Sequence, residues 1–343
     1  MRVALDAMGG DRGSDLLIQG ALSAVGEQED LEVILLGPEE LLAGRLQTLA
    51  AGQQRVLERI SIVHAPETVS MHESPVEAIR KKKNSTIMVG FDLVRARKAD
   101  AVVSAGNSGA TMAAAIRKLG RLKGISRPGI ASIFPTLKQP VMIMDIGANV
   151  DCRPQHLFQF AIMAASCIRV LLDIRDPRIG LLSIGEESGK GNGLVKDTFE
   201  LLSGSRLNFK GNVEGRDVYQ GDVDVIVCDG FVGNISLKIS EGLAEAAMQM
   251  LKTEIMKSLR AKLGYLLIRN AFARFRKRVD YAEYGGAPLL GIDGTGIICH
   301  GTSSARAISN AIGVAATMVS KGVNHSILRS LEEYAPSPQE MAQ

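Results

Sequence analysis

The chain reads as an α/β protein built on a mostly parallel, Rossmann-like αβα sandwich. Through the first 230 residues, short apolar runs rich in β-branched residues alternate with helical segments. Most of these runs are apolar throughout, as strands covered on both faces are. The helical stretches between them supply the crossovers that parallel strands require.

Arg2–Asp6 is the first expected strand, followed by Leu31–Leu36, Ile60–His64 and Ala101–Ser104. Val141–Asp145, Ile179–Ser183 and Val223–Cys228 continue the series. After Gly233 the alternation stops. Up to about Val279 there is no proline, and Leu251, Ile255, Leu259 and Leu263 recur at i, i+4 steps. This spacing predicts a long helix or helical hairpin over 234–280, bent at Gly264, because an interior glycine costs about 1 kcal/mol relative to alanine. A last unit returns with strands at Leu289–Ile292 and Ile297–His300 and a helix from Ser303 to Lys321. Residues 1–330 are therefore expected to form one α/β domain that includes the hairpin, with a frayed tail over 331–343.

Composition narrows the class. At 343 residues, 46% hydrophobic and 22% charged, the chain has the make-up of a globular protein and not of a disordered one. A net charge of +3 gives no global reason for a polyanionic partner. Cys152, Cys167, Cys228 and Cys299 are scattered singly, with no zinc or redox spacing, and read as reduced cytosolic thiols. No secretory signal opens the chain and no apolar run approaches the roughly 18 residues of a membrane span.

Ligands of parallel sheets sit beyond the carboxyl ends of the strands, which is where the glycines gather. Gly106-Asn107-Ser108-Gly109 joins a strand to a small-residue helix, so its amides and helix dipole suit an anion, phosphate above all. Its bland reading is a tight turn in which Ser108 caps the helix. Gly185–Gly191 (GEESGKG) falls short of a nucleoside-triphosphate P-loop by one residue between its glycines and by Gly191 in the hydroxyl position. What remains is Lys190, a cation beyond a strand end, placed to meet a phosphate or a developing oxyanion. Asn234, in Asp229-Gly-Phe-Val-Gly-Asn234, is either a helix cap or an amide that holds an acyl carbonyl.

Gly9 and Gly10, before Asp11, allow a ligand near the first strand, and Asn149 ends the similar Gly147-Ala148-Asn149 turn. His300 follows a strand and precedes another small-residue turn, as an anion ligand, an acid or a structural hydrogen-bonder. The carboxylates Asp6, Asp11, Asp145 and Asp151 fall short of a dedicated metal site, and no metal or cofactor is expected. No G-x-G-x-x-G opens a crossover, which weighs against a nicotinamide enzyme. No nucleophile–base spacing supports a covalent acyl-enzyme.

Between Lys252 and Arg278 stand nine basic residues, among them Arg260 and Lys262, and a single acidic one, Glu254. Leu266, Leu267, Phe272 and Phe275 are interleaved with them. Such a segment suits an anionic membrane interface, where each basic side chain contributes roughly 1 kcal/mol. It equally suits a dimerisation helix with solvated charges, or an acidic partner. Nucleic acid is not expected, because no stacking platform accompanies the charge.

In order along residues 1–325, DAMGGD, SAGNSGAT, DIGANVDC, IGEESGKGN, DGFVGN and GIDG followed by HG resemble the bacterial phosphate acyltransferases of phospholipid synthesis, the PlsX family. The resemblance implies a fold like that of isocitrate and isopropylmalate dehydrogenases, and a homodimer. It also implies transfer of a long-chain fatty acyl group from acyl carrier protein to inorganic phosphate. The acyl phosphate would supply a membrane glycerol-3-phosphate acyltransferase, from a cytoplasmic enzyme held peripherally at the inner face of the cell membrane. The family lysine of the G-K-G-N loop matches Lys190 and the asparagine of D-G-F-x-G-N matches Asn234, both as catalytic residues. The readings that compete are a phosphotransacetylase-like enzyme using acyl-coenzyme A and a membrane-bound scaffold with little catalysis.

Overall fold

The computed structural model describes residues 1–279 and 285–334, with 276–279 as backbone only. The chain opens with β1 (Arg2–Asp6), α1 (Ser14–Glu27), β2 (Glu32–Gly37), α2 (Glu39–Leu49), the single turn α3 (Gln54–Leu57) and β3 (Ile60–His64). It continues through α4 (Pro75–Lys81), α5 (Thr86–Arg95), β4 (Ala101–Ser104), α6 (Ser108–Lys118), β5 (Gly129–Phe134), β6 (Val141–Met144) and α7 (Pro154–Leu171). Next come β7 (Ile179–Leu182), α8 (Gly193–Ser203), β8 (Phe209–Val213), β9 (Val225–Val227), α9 (Gly230–Met256) and α10 (Leu259–Val279). The last elements are β10 (Ala287–Leu290), β11 (Gly296–Ile298), α11 (Ala305–Ser320) and α12 (Val323–Tyr334).

All the strands join one sheet of order β3-β2-β1-β4-β11-β10-β5-β6-β9-β7-β8. Alternate strand residues feed the two faces, as the period of two demands. Val3, Leu5, Val33 and Leu35 pack with α1, α7 and α11 on one face, whereas Ala4, Ile34 and Leu36 pack with α4, α5 and α6 on the other. This is the expected αβα sandwich, and among the described residues seven of the ten strand pairings are parallel.

The direction of the strands decides where the loops go. β10 runs antiparallel to both β11 and β5, and β5 runs antiparallel to β6. Three reversals separate the block β3-β2-β1-β4-β11 from the block β6-β9-β7-β8, so the two blocks point in opposite directions. The carboxyl ends of β1, β4 and β11 lie on a first edge of the sheet; those of β6, β9 and β7 lie on the opposite, second edge. A single row of glycine loops, implicit in reading all strands as one parallel set, is thereby divided into two.

Other departures from the sequence reading are local. β5 and β8 have no counterpart among the expected strands: both carry glycine, and Phe209–Val213 includes Lys210 and Asn212. The hairpin bends at Lys257–Ser258, between α9 and α10, and not at Gly264, which lies inside α10. Ser258 provides the stop, for its Oγ accepts from the amide of Ala261 at 3.4 Å and its carbonyl from that of Lys262 at 3.0 Å. The tail expected from 331 is helical up to Tyr334, because Ile327 of α12 is fully buried against the core; residues 335–343 lie outside the described residues.

α9 buries only Gly230 and Gly233, and beyond Ser240 the hairpin exposes Leu243, Met250, Met256, Leu259, Leu263 and Leu267. No described helix is long and apolar enough to cross a membrane.

Candidate functional site

On the first edge, Asp6 organises the turn after β1. It is fully buried, accepts from the Ser104 hydroxyl at 2.7 Å and from the Met8 amide at 3.2 Å, and so ties the β1 loop to the end of β4. Ser104 Oγ also accepts the Gly106 amide at 3.1 Å. The two loops then touch: a Cβ on Gly9 would stand 2.7 Å from the Gly106 nitrogen, so only glycine fits there. The third loop joins through Asp11, whose amide donates to the Gly301 carbonyl at 2.8 Å. Gly9, Gly10, Asp11, Gly106–Gly109 and His300 are thus neighbours, as one anion-binding corner would need.

Two side chains of this corner are spent on structure. Asn107, and not Ser108, is the N-cap of α6: its Oδ1 accepts the Ala110 amide at 3.0 Å while Nδ2 donates to the carbonyls of Ser70, Met71 and Glu73. Asn107 therefore shapes the turn, and anion donors there come from the amides of Ser108 and Gly109 at the first two positions of the helix. His300 is exposed, and its Nδ1 accepts the Thr302 amide at 3.2 Å and pairs with Thr302 Oγ1 at 2.8 Å.

The second edge repeats the arrangement around Asp145. This buried carboxylate accepts the amides of Ile130, Gly147 and Ala148 on Oδ1, and the Asn149 amide and side chain on Oδ2. Asn149 gives its Nδ2 to Asp145 and to the Pro128 carbonyl, which makes it a clamp of the loop and leaves no side-chain donor for substrate.

The start of α9 packs against this loop more closely than any side chain allows: a Cβ on Gly233 would lie 1.9 Å from the Asp145 carbonyl oxygen. Asp229 is the cap of α9, accepting the amides of Phe231 and Val232 at 3.0 and 2.9 Å. The cap being taken, Asn234 is left one helical turn on, exposed, with its Cγ 3.5 Å from where a Gly147 Cβ would be. Among the described residues its amide has no partner.

Lys190 rides on the loop after β7, also on the second edge. Its amide donates to the Glu187 carbonyl at 3.0 Å, and Asn212 Nδ2 donates to the same oxygen at 2.9 Å. The turn that follows has Gly191 at φ +102°, a conformation that favours glycine. Lys190 is exposed, and its ammonium has no partner among the described residues. Asn212 and the Arg216 contact to Glu186 at 3.5 Å escaped the sequence reading; the glycine before Asn212 and the charges around Arg216 were the only signal.

Electrostatics fit loops built to be rigid. Burial pushes the carboxyls of Asp6 and Asp145 above the usual aspartate range, against the hydrogen bonds that each accepts. Burial, then Asp145 and Asp229, pushes the Cys152 thiol up to about 11, and burial takes Cys167 and Cys299 to about 12. Cys228 is raised by burial first and by the same two carboxylates after it. None of these thiols is a ready nucleophile near neutral pH. Among the described residues no three His, Cys, Asp or Glu side chains are grouped to hold a metal ion.

The family described as Fatty acid synthesis protein matches residues 1–326. "Phosphate acyltransferase" of Geotalea uraniireducens is 55% identical over 336 residues, covering 98% of this chain and 96% of its own. The protein of the same name from Geobacter sulfurreducens is 53% identical over 332 residues, covering 97% and 94%. The chain belongs to the phosphate acyltransferase family. Family members so named are acyl-transferring enzymes, and the six sequence motifs that carry the resemblance all lie inside the matched span. Among solved structures, a phosphotransacetylase from Streptococcus pyogenes superposes with a TM-score of 0.63 at 19% identity, covering 93% of this chain and 94% of that one. That likeness is one of fold.

Proposed function

We propose that this phosphate acyltransferase family member moves a long-chain acyl group from acyl carrier protein to inorganic phosphate, releasing acyl phosphate. The observation that carries the reading is the pair Lys190 and Asn234, exposed side chains without partners among the described residues, Lys190 on the glycine loop after β7 and Asn234 at the start of α9, both at the second edge. Phosphate is already an anion at pH 7 and needs no general base. One of its oxygens attacks the thioester carbonyl carbon, the carbonyl oxygen becomes an oxyanion, and collapse expels the pantetheine thiolate, which takes a proton from solvent. Lys190 neutralises the oxyanion or holds phosphate, Asn234 orients the carbonyl, and the α6 amides with Gly9, Gly10 and Asp11 around them cradle phosphate.

Because the phosphate corner and the Lys190–Asn234 pair lie on opposite edges of one chain, the enzyme acts as a homodimer in which the edges of two copies meet. Positioning then supplies most of the rate. The outward face of α10, with Leu259, Leu263 and Leu267 beside Arg260 and Arg274, rests on the anionic inner face of the cell membrane. There the product passes to a membrane glycerol-3-phosphate acyltransferase. Lys262, Leu266, Phe272 and Phe275 line the groove between the hairpin and the body of the chain, and Leu266 and Phe275 remain more than half exposed, open to the same membrane or partner contact.

The test is phosphate-dependent release of acyl carrier protein from a long-chain thioester, with hydroxylamine trapping acyl phosphate. Lys190→Ala and Asn234→Ala should each lose roughly 10²–10³ in kcat, the cost of one oxyanion donor. Wild-type turnover by Lys190→Ala refutes the assignment. Turnover with acyl-coenzyme A and none with the carrier makes the enzyme phosphotransacetylase-like, and no turnover with any donor favours the scaffold.

A further inference from the structure

A cavity of about 1600 Å³ lies between the hairpin and the first edge. Small-molecule sites usually span about 300–1,000 Å³, so it has room for an extended ligand. Phe134 and Leu137 form its wall on the body of the chain, and Leu237, Leu243, Leu251, Leu266 and Phe272 form the wall on α9 and α10. The Tyr265 and Phe272 rings, 5.4 Å apart, close the α10 side. Polar groups line it as well: Arg12 and the turn Thr302–Ser304 form the mouth beside the first edge, and Glu241, Glu245, Lys252, Lys262 and Arg269 stand along the hairpin. That mouth adjoins the glycine corner, since Asp11 beside Arg12 donates to the Gly301 carbonyl and Gly9 touches Gly106.

We propose that this groove holds the acyl chain of the donor thioester, with its carbonyl at the Arg12 mouth and its methyl end between α9 and α10. The inference rests on the acyl-transfer reading and gives it a subsite. The lining is mostly apolar, so it suits an occupant that is apolar over most of its length with a polar end at the Arg12 mouth. A wholly polar ligand would leave the leucine and phenylalanine walls wet. A thioester with its chain meets both demands, and transfer to a phosphate held at the α6 terminus leaves the chain in place while the C–S bond is exchanged for C–O.

Leu243 is 68% exposed and Leu251 is 38% exposed, so tryptophan at either position narrows the groove without disturbing the core. Soluble donors of sixteen and eight carbons are compared in the absence of membranes, for wild type, Leu243→Trp and Leu251→Trp. The ratio of long- to short-chain kcat/KM should fall roughly tenfold or more in the variants, the scale on which an apolar pocket discriminates by length. A donor with a photoreactive group at the chain terminus should label α9 or α10 in the wild type. Transfer with an unchanged ratio and labelling elsewhere overturns the groove while leaving the acyltransferase standing. An unchanged ratio with a shift in oligomeric state makes the groove an interface between copies, which also overturns it. No transfer from either donor by the wild type fails the underlying reading instead.

Discussion

Gly233→Ala tests the contact that brings α9 to the Asp145 loop. The added Cβ would stand 1.9 Å from the Asp145 carbonyl oxygen, where carbon and oxygen approach no closer than about 3.3 Å without strain. The deficit of about 1.4 Å cannot be taken up by a flexible side chain, because the obstacle is backbone. Either the start of α9 or the Asp145 turn must retreat, and the relation between Asn234 and Gly147 opens with it. Overpacking of this kind costs about 1–3 kcal/mol, and a misplacement near 1 Å costs on the order of 10² in rate. Urea denaturation measures the first, and phosphate-dependent turnover of the acyl thioester the second. Gly242→Ala is the control: it lies in the same helix with nothing within 4 Å of its Cβ, and should gain up to about 1 kcal/mol. A Gly233→Ala protein as stable and active as the wild type would refute the packing argument and the rigidity of Asn234 derived from it.

The raised carboxyl of Asp145 makes its contribution pH-dependent in a defined direction. Its protonated form is favoured in the folded chain, so its stabilisation relative to Asp145→Asn is fullest below the unfolded value near 4 and declines as pH rises through the folded one. Urea titrations of both proteins between pH 4 and 7 check this, and a flat difference contradicts it. Thiol chemistry follows from burial: with Cys152 at about 11, a maleimide or disulfide reagent should label the native protein slowly at pH 8 and faster as pH climbs. Rapid labelling of one thiol at pH 7 would show an accessible thiolate that the structure does not hold. Removing the α9 cap with Asp229→Ala should cost about 0.5–2 kcal/mol, read by thermal unfolding.

The strands were legible in the sequence where burial on both faces left an unbroken apolar run, as in Val33–Leu36 or Ala101–Val103. β8 was not, because Lys210, Gly211 and Asn212 break the apolar pattern that identifies a strand, and β5 escaped the sequence reading although Ile130–Phe134 carries it in all but Ser132. Strand direction was illegible altogether: a parallel and an antiparallel neighbour can carry the same residues, and the second block is reversed by the antiparallel pairings around β10 and β5. The glycine turns could be found by composition, but which polar side chain in each is spent on its own loop depends on contacts far along the chain. Asn107 reaches the carbonyl of Ser70 and Asn149 that of Pro128. Asn234 escaped that fate because Asp229 had already taken the helix cap.

Asp6 and Asp145 solve one problem twice, at opposite edges. A glycine-rich turn at a strand end has amides with no ladder to join, and leaving them unpaired in a buried place is costly. A buried carboxylate accepts several at once; its own desolvation opposes this, which is why both groups are shifted upward. The result is two loops held from beneath, with their outer surfaces left for ligands. The direct attack proposed above would require such a frame, since a mechanism without a covalent acyl-enzyme lowers the barrier only as far as phosphate, carbonyl and cation are already in place. A change that loosens either aspartate from its turn should therefore lower kcat at every donor chain length, whereas a change in the groove should sort donors by length.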